Sequence, residues 1–339
     1  MRIGGGTGAA TVEVSRITLV RKRFRPVQED NPRHYAYWRR ELLAYASDLL
    51  PTGPGLAAPH CFAITEDAVY LEDVQGPAES PSVAAQRLGA WQAAPPPVPP
   101  LPPLPPPLAP AADVPGLAGD HLAQHQLAQH QLAQHRLAQR APWLAGHQLA
   151  QRIPWLAGHQ LAQRAPWLAG HQLAQRVPWL AGHQLAQRVA AKDLDWTGID
   201  VDARLRRCWE RRDELLARLE EATFVLSHGD FHIGHLTATA SDVTTVVDWA
   251  GLGMSPLGAD LAHLALSTLT DGRLLDDYLR GLGGTEAEVA PGYAVTLGLT
   301  AASRYHWMRT RGVRVPDGYV DFVLGQLDRA ARTFKAVAG

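Results

Sequence analysis

Apolar and polar positions alternate along Thr11-Val12-Glu13-Val14, the period of a half-buried strand. Ile17-Thr18-Leu19-Val20 continues in the same way and runs into the basic triplet Arg21-Lys22-Arg23. From Tyr35 to Leu50 the apolar positions change to helical spacing (Tyr35, Trp38, Leu42, Leu43, Ala46, Leu49), and Pro51 ends the run. Cys61-Phe62-Ala63-Ile64 and Val69-Tyr70-Leu71 read as two more strands joined by an acidic turn. The first 93 residues therefore predict strand, strand, helix, strand, strand. Beyond residue 188 the pattern predicts a helix from Ala203 to Glu221. A short strand, Phe224-Val225-Leu226, and a second apolar strand, Val243 to Val247, follow.

Between these regions the pattern changes. Residues 94–115 are dense in proline, as extended polyproline or unstructured chain is. His121 to Arg140 repeats a five-residue unit close to QLAQH, and Ala141 to Arg188 repeats APWLAGHQLAQR four times, varying only in the first residue. At about 100° per residue, a helix would turn successive leucines by roughly 140° or 120°, so no continuous apolar stripe forms. Proline in every twelve-residue unit would also kink such a helix. One copy is expected to pack on the globular part and the others to bulge out of it. Eight of the fifteen histidines lie here. His121 and His125 have metal-ligand spacing, but histidine is more simply a passenger of the repeat.

Composition narrows the function. Of 339 residues, 46% are apolar, enough for a large core. Lys plus Arg is 32 against 33 Asp plus Glu, which argues against recruitment of nucleic acid or an anionic membrane by bulk charge. Cys61 and Cys208 cannot build a disulfide framework, and no apolar run has membrane-spanning length. A cytoplasmic protein is expected.

The chemistry-bearing segment is Ser227-His228-Gly229-Asp230-Phe231-His232-Ile233-Gly234-His235-Leu236, followed by Val243 to Trp249. Asp230 and Asp248 each follow an apolar run, and a hairpin-like pairing of the two strands would bring them to one rim. Two acids there suit a magnesium–nucleotide site, one holding the metal and the other taking a proton. Taken alone, such a pair has an equally good structural explanation.

His228-Gly229-Asp230, Val247-Asp248-Trp249 and Gly258-Ala259-Asp260-Leu261-Ala262 stand in one order within 35 residues. Together they resemble the aminoglycoside phosphotransferase and choline kinase superfamily, a branch of the protein-kinase-like fold. Leu19 to Phe24 is similar to its nucleotide-lysine strand, Trp38-Arg39-Arg40-Glu41 to its ion-pair helix, and Val69 to Val74 to its hinge. The resemblance implies a two-lobed α+β fold. Residues 1–75 would form a small antiparallel-sheet N-lobe and residues 76–339 a mainly helical C-lobe that carries the repeat insertion of 94–188. It implies an ATP-dependent phosphotransferase acting on a small-molecule hydroxyl.

By the same resemblance, Asp230 would orient or deprotonate the acceptor and Asp248 would bind Mg²⁺. Lys22, held by Glu41, would contact the phosphates. Gly5, Gly6, Thr7 and Gly8 would cap the phosphates, Glu72 and Val74 would meet the nucleotide at the hinge, and Asp260 would fix the catalytic loop. The family's second metal position, an asparagine, holds His235. Imidazole is a softer donor than Mg²⁺ prefers, so Mn²⁺ preference or lost activity is implied as an alternative. The expected partners are ATP and the acceptor, with no nucleic acid or membrane. Asp271, Asp276, Asp277, Glu286 and Glu288 are candidate acceptor liners, of the kind an aminoglycoside would want. Competing readings are a degenerate nucleotide binder of pseudokinase type, a zinc metallohydrolase using His228, Asp230, His232 and His235, and a scaffold using the proline tract.

Overall fold

The computed structural model describes residues 18–24, 31–94, 177, 179–180, 184–270 and 273–338, with side chains to 330. Strands β1 (Leu19–Arg23), β3 (Cys61–Ile64) and β4 (Ala68–Glu72) form an antiparallel sheet in the order β1-β4-β3. Helix α1 (Arg40–Tyr45) packs on it through Leu42, which clusters with Val69 and Leu71. Between them, β2 (Gly55–Ala57) leaves this sheet and runs parallel to β7 (Val243–Val246), itself the hairpin partner of β6 (Leu236–Ala240). One strand of the N-terminal segment thus belongs to the sheet that carries Asp248.

The remainder is mainly helical: α2 (Pro81–Ala93), α3 (Gln184–Ala190), α4 (Ala203–Glu210) and α5 (Arg212–Ala217) precede β5 (Phe224–Ser227). After β8 (Gly253–Pro256) come α6 (Ala259–Thr268), α7 (Arg273–Leu282), α8 (Glu286–Thr310) and α9 (Tyr319–Ala338). One apolar cluster joins these helices to β5–β8, with Trp249, Phe231, Leu261, Leu264 and Tyr278 fully buried. Among the described residues no helix is long and apolar enough to cross a membrane.

Three expectations are corrected. The helix predicted over Tyr35–Leu50 spans only Arg40–Tyr45. At its N-terminal end the fully buried Arg40 guanidinium donates to the carbonyls of Pro32, His34, Tyr35 and Trp179, which holds residues 32–35 out of the helix and takes the Tyr35 carbonyl a helix would use internally. The helix predicted over Ala203–Glu221 breaks at Arg211, whose backbone sits at φ −99°, ψ 21°. The predicted pairing of the two strands before Asp230 and Asp248 does not occur: β5 pairs with β8, and β7 pairs with β6 and β2.

The last twelve-residue copy, residues 177–188, meets the globular part through Val177, Leu180 and Leu185, all buried. Gln187 holds the 33–35 loop by accepting from Tyr35 N–H and donating to the Arg33 carbonyl. The proline tract, the earlier copies, the strand expected at Thr11–Val14 and the glycine cluster at Gly5, Gly6, Thr7 and Gly8 lie outside the described residues.

Helices α2 and α7 cross at backbone contact. A Cβ on Gly89 would lie 2.1 Å from the Tyr278 carbonyl oxygen, and one on Gly281 would lie 1.9 Å from that of Gln86. Gly89→Ala should therefore force the helices apart and cost about 1–3 kcal/mol, the usual range for overpacking. Gly325→Ala, on an exposed turn of α9 with open space around it, should be neutral or slightly stabilising. Urea midpoints of the two variants against the parent check this contrast.

Candidate active site

The site begins with one lysine. On β1, side chains alternate between faces, and Lys22 turns inward while its neighbours stay more exposed. Its Nζ lies 2.6 Å from Glu41 Oε2 on α1 and 2.6 Å from Asp248 Oδ1 after β7. Glu41 is 1% exposed, whereas Asp248 is 44% exposed toward the open side. Burial pushes the Glu41 carboxyl up, and the lysine charge only partly offsets it. Burial alone would lower the Lys22 ammonium, but its two carboxylates hold it above its ordinary value. The three groups sum to one negative charge. Asp248 itself adopts φ 66°, ψ 62°, the left-handed region that a non-glycine residue enters at a cost of about 1–3 kcal/mol.

Asp230 sits across the same cavity, of about 770 Å³, lined also by Glu41, Arg188, Asp248, His263 and Arg304. The link between the two acids is a histidine. His228 Nε2 donates to the Val247 carbonyl at 3.0 Å, and its Nδ1 accepts from the Asp230 N–H at 3.3 Å. This tautomer suits a neutral ring, and burial lowers its pKa to about 4. Behind it, Asp260 on α6 accepts from the N–H groups of His228 (2.8 Å) and Gly229 (2.9 Å) and from Gln92 on α2. Burial raises the Asp260 carboxyl to about 6. Gly229 takes φ 82° and packs so closely on Gly251 that a Cβ would lie 2.2 Å from its carbonyl oxygen.

His235 also approaches Asp248. Its Nδ1 lies 3.1 Å from the Asp230 carbonyl, which can only accept, so Nδ1 carries the proton. The lone pair of Nε2 is then on the side of Asp248 Oδ2, 3.8 Å away. A ring fixed through one nitrogen by a backbone carbonyl is the usual posture of a ligating histidine. One carboxylate and one imidazole could together hold a divalent cation, which would supply neutralisation of nearby negative charge.

Lys22, Glu41, Asp230, Asp248 and His235 thus come together. Glu72 does not: it lines a separate cavity of about 820 Å³ with Trp91 and Phe224, while Val74 is not among the residues lining either cavity. The acidic acceptor liners are spent elsewhere. Asp277 pairs with Ser82 and Arg280, Asp276 lies near Arg329, and Glu288 closes a capping box with Thr285. Glu286 opens the same helix, and Asp271 is outside the described residues. The zinc reading finds no support, because among the described residues no three His, Cys, Asp or Glu side chains converge on a metal position.

Sequence reasoning missed Arg188, Lys192, His263 and Arg304. Arg188 donates to the Gly229 carbonyl, and Arg304 Nη2 lies 3.6 Å from Asp230 Oδ1. Burial alone would raise the Asp230 carboxyl, but positive neighbours hold it below the usual range. His263 is buried and its pKa is lowered to about 3, so near neutral pH that field comes from the two arginines.

The sequence model of a phosphotransferase enzyme family matches residues 73–294, most of the chain, including every motif from His228 to Ala262. The chain belongs to the phosphotransferase enzyme family. No curated protein matches it. Solved structures with some likeness include a choline/ethanolamine kinase family protein from Mesorhizobium loti. That match has 12% identity and TM-score 0.43, and covers 98% of this chain and 87% of the other. An amicoumacin kinase in complex with AMP-PNP and Ca²⁺ is 8% identical with TM-score 0.43, over 86% of this chain and 75% of that one. An ethanolamine kinase from Plasmodium vivax is 13% identical with TM-score 0.37, over 92% and 75%.

The buried rings set a pH dependence. His228 and His263 fold neutral and charge near pH 6.5 when unfolded, so their contribution is complete above 6.5 and drains away as pH falls toward 4. Asp260 acts in the opposite sense, costing stability as pH rises from about 4 to 6. Taking these three groups alone, the protein should lose on the order of 1 kcal/mol per pH unit between 6.5 and 5; the lowered His232 and Asp230 act in the same sense, and the raised Glu41 in the opposite one. A urea midpoint distinctly lower at pH 5 than at pH 7 is expected, and equal midpoints would contradict the assignment.

Proposed function

We propose that this protein is an ATP-dependent kinase that phosphorylates a hydroxyl group of a small molecule. The observation that carries this reading is the pairing of Lys22 with Glu41 and Asp248 on one wall of a cavity whose opposite side presents Asp230. Phosphoryl transfer needs little covalent help from protein; it needs alignment and neutralisation of charge.

Each side chain then has a part. Lys22 meets phosphate oxygens, and Glu41 keeps its ammonium charged and aimed. Asp248 and His235 Nε2 hold the divalent cation, which when bound neutralises charge on the transferred group. Asp230 accepts a hydrogen bond from the acceptor hydroxyl. As the new O–P bond forms and the P–O bond to the leaving diphosphate breaks, the hydroxyl proton passes to Asp230 and then to water. A carboxylate held below its usual pKa is a weak base, so orientation outweighs proton abstraction in this role. The imidazole at His235 favours Mn²⁺ over Mg²⁺ relative to an all-oxygen site.

Asp230→Ala should lower acceptor-dependent ATP consumption by about 10²–10⁴-fold while AMP-PNP still shifts the melting temperature. ATP binding without turnover on any acceptor, with either Mg²⁺ or Mn²⁺, would instead establish the degenerate reading.

A further inference from the structure

The acceptor side of the cavity carries an excess of positive charge. Arg188 comes from α3, Lys192 from the turn after it, and Arg304 from α8, and all three line the cavity with Asp230. Lys22 is already balanced by Glu41 and Asp248 on the nucleotide side. Among the described residues neither Arg188 nor Lys192 is ion-paired. Arg188 donates to the Gly229 carbonyl and to Gln184 Oε1, and Lys192 to the Ser303 hydroxyl at 2.6 Å. Among the described residues Arg304 is ion-paired only with Asp230, at 3.6 Å, which is too long for a hydrogen bond.

A second observation concerns the same cavity, where His263 Nδ1 lies 3.9 Å from Asp230 Oδ1, beyond hydrogen-bond distance. His263 is 6% exposed, lines the cavity, and its Nδ1 has no hydrogen-bond partner among the described residues. A buried polar nitrogen without a partner costs about 1–3 kcal/mol, and a ligand can relieve that cost. The crowding of like charge is visible in the Lys192 ammonium, lowered by burial and then by Arg188 and Arg304. Three cations around one carboxylate leave a net charge of about +2 in a half-enclosed space.

We infer that the acceptor is an anionic hydroxyl compound, whose carboxylate or phosphate is held by Arg188, Lys192 and Arg304 while its hydroxyl faces Asp230. The inference rests on the proposed kinase reading for the place of the hydroxyl. The placement of the anion rests on the charge distribution alone. Polycationic acceptors of aminoglycoside type and quaternary ammonium alcohols are disfavoured, because these same residues repel them. A guanidinium–carboxylate or guanidinium–phosphate contact is charge-assisted and about twice as strong as a neutral one.

The test is calorimetric titration of the full chain with matched pairs: glycerate and glycerol, galacturonate and galactose, glucose 6-phosphate and glucose. Choline and a cationic aminosugar serve as the opposite class. Titrations are run without nucleotide and with AMP-PNP present. In at least one pair the charged member should bind ten-fold or more tightly than its neutral partner. The preference should persist with AMP-PNP. Arg304→Gln should remove most of it and Arg304→Lys should restore part. A carboxylate or a phosphate preference is read from which pairs respond.

Equal binding within every pair, including none by either member, overturns the inference, as does tighter binding of the cationic compounds. A preference that vanishes when AMP-PNP is bound also overturns it, since the cations would then serve only the nucleotide. These titrations need no turnover. A chain that prefers anions yet consumes no ATP would therefore sink the kinase reading and not this one.

Discussion

A single ammonium group holds the site together. Lys22 draws β1, helix α1 and the turn after β7 onto one point, with both carboxylates 2.6 Å from its Nζ. Glu41 has almost no contact with solvent, so without the lysine its charge would be buried unpaired, a situation that costs several kcal/mol. The chain Glu41–Lys22–Asp248 retains one negative charge, and that charge is placed on the solvent-facing side of Asp248. Under the proposed function, this is the charge that a divalent cation beside Asp248 would meet.

The opposite wall is held from behind. Asp260 fastens the backbone of His228 and Gly229, and Gln92 ties Asp260 to Tyr278 through its amide. That chain crosses the α2–α7 contact, which Gly89 and Gly281 bring to backbone distance. Packing far from the cavity therefore sets where Asp230 stands. The last repeat copy adds a third support, because Gln184 donates to the Gly251 carbonyl and Arg188 to that of Gly229. A low-complexity tract thus ends in residues that brace the site.

The residues carried by short motifs were legible in the sequence. Asp230, Asp248 and Asp260 stand beside glycine, histidine and tryptophan in a fixed order, and local chain geometry keeps them near one another. Long-range partnerships were not legible. The strand pairing of β5 with β8 depends on residues about thirty positions apart, and the short α1 depends on an arginine side chain reaching backward to three carbonyls and across to Trp179. Arg188 was hidden because the same Gln-Leu-Ala-Gln-Arg sequence ends every twelve-residue copy, so spacing singles out none of them. Arg304 was hidden because an arginine on a long helix resembles any solvated position. The acidic residues that looked like acceptor ligands, Asp277 and Glu288 among them, serve instead as helix cap and interhelix partners, which are roles that spacing alone does not reveal.

The most direct test of this account is anomalous diffraction from crystals grown with Mn²⁺ and AMP-PNP. The account predicts a manganese peak bonded to Asp248 and to Nε2 of His235, on the side of Asp248 away from Lys22, with phosphate oxygens completing the shell. A peak held by His228 or His232, or density that leaves Asp248 unligated, would contradict it.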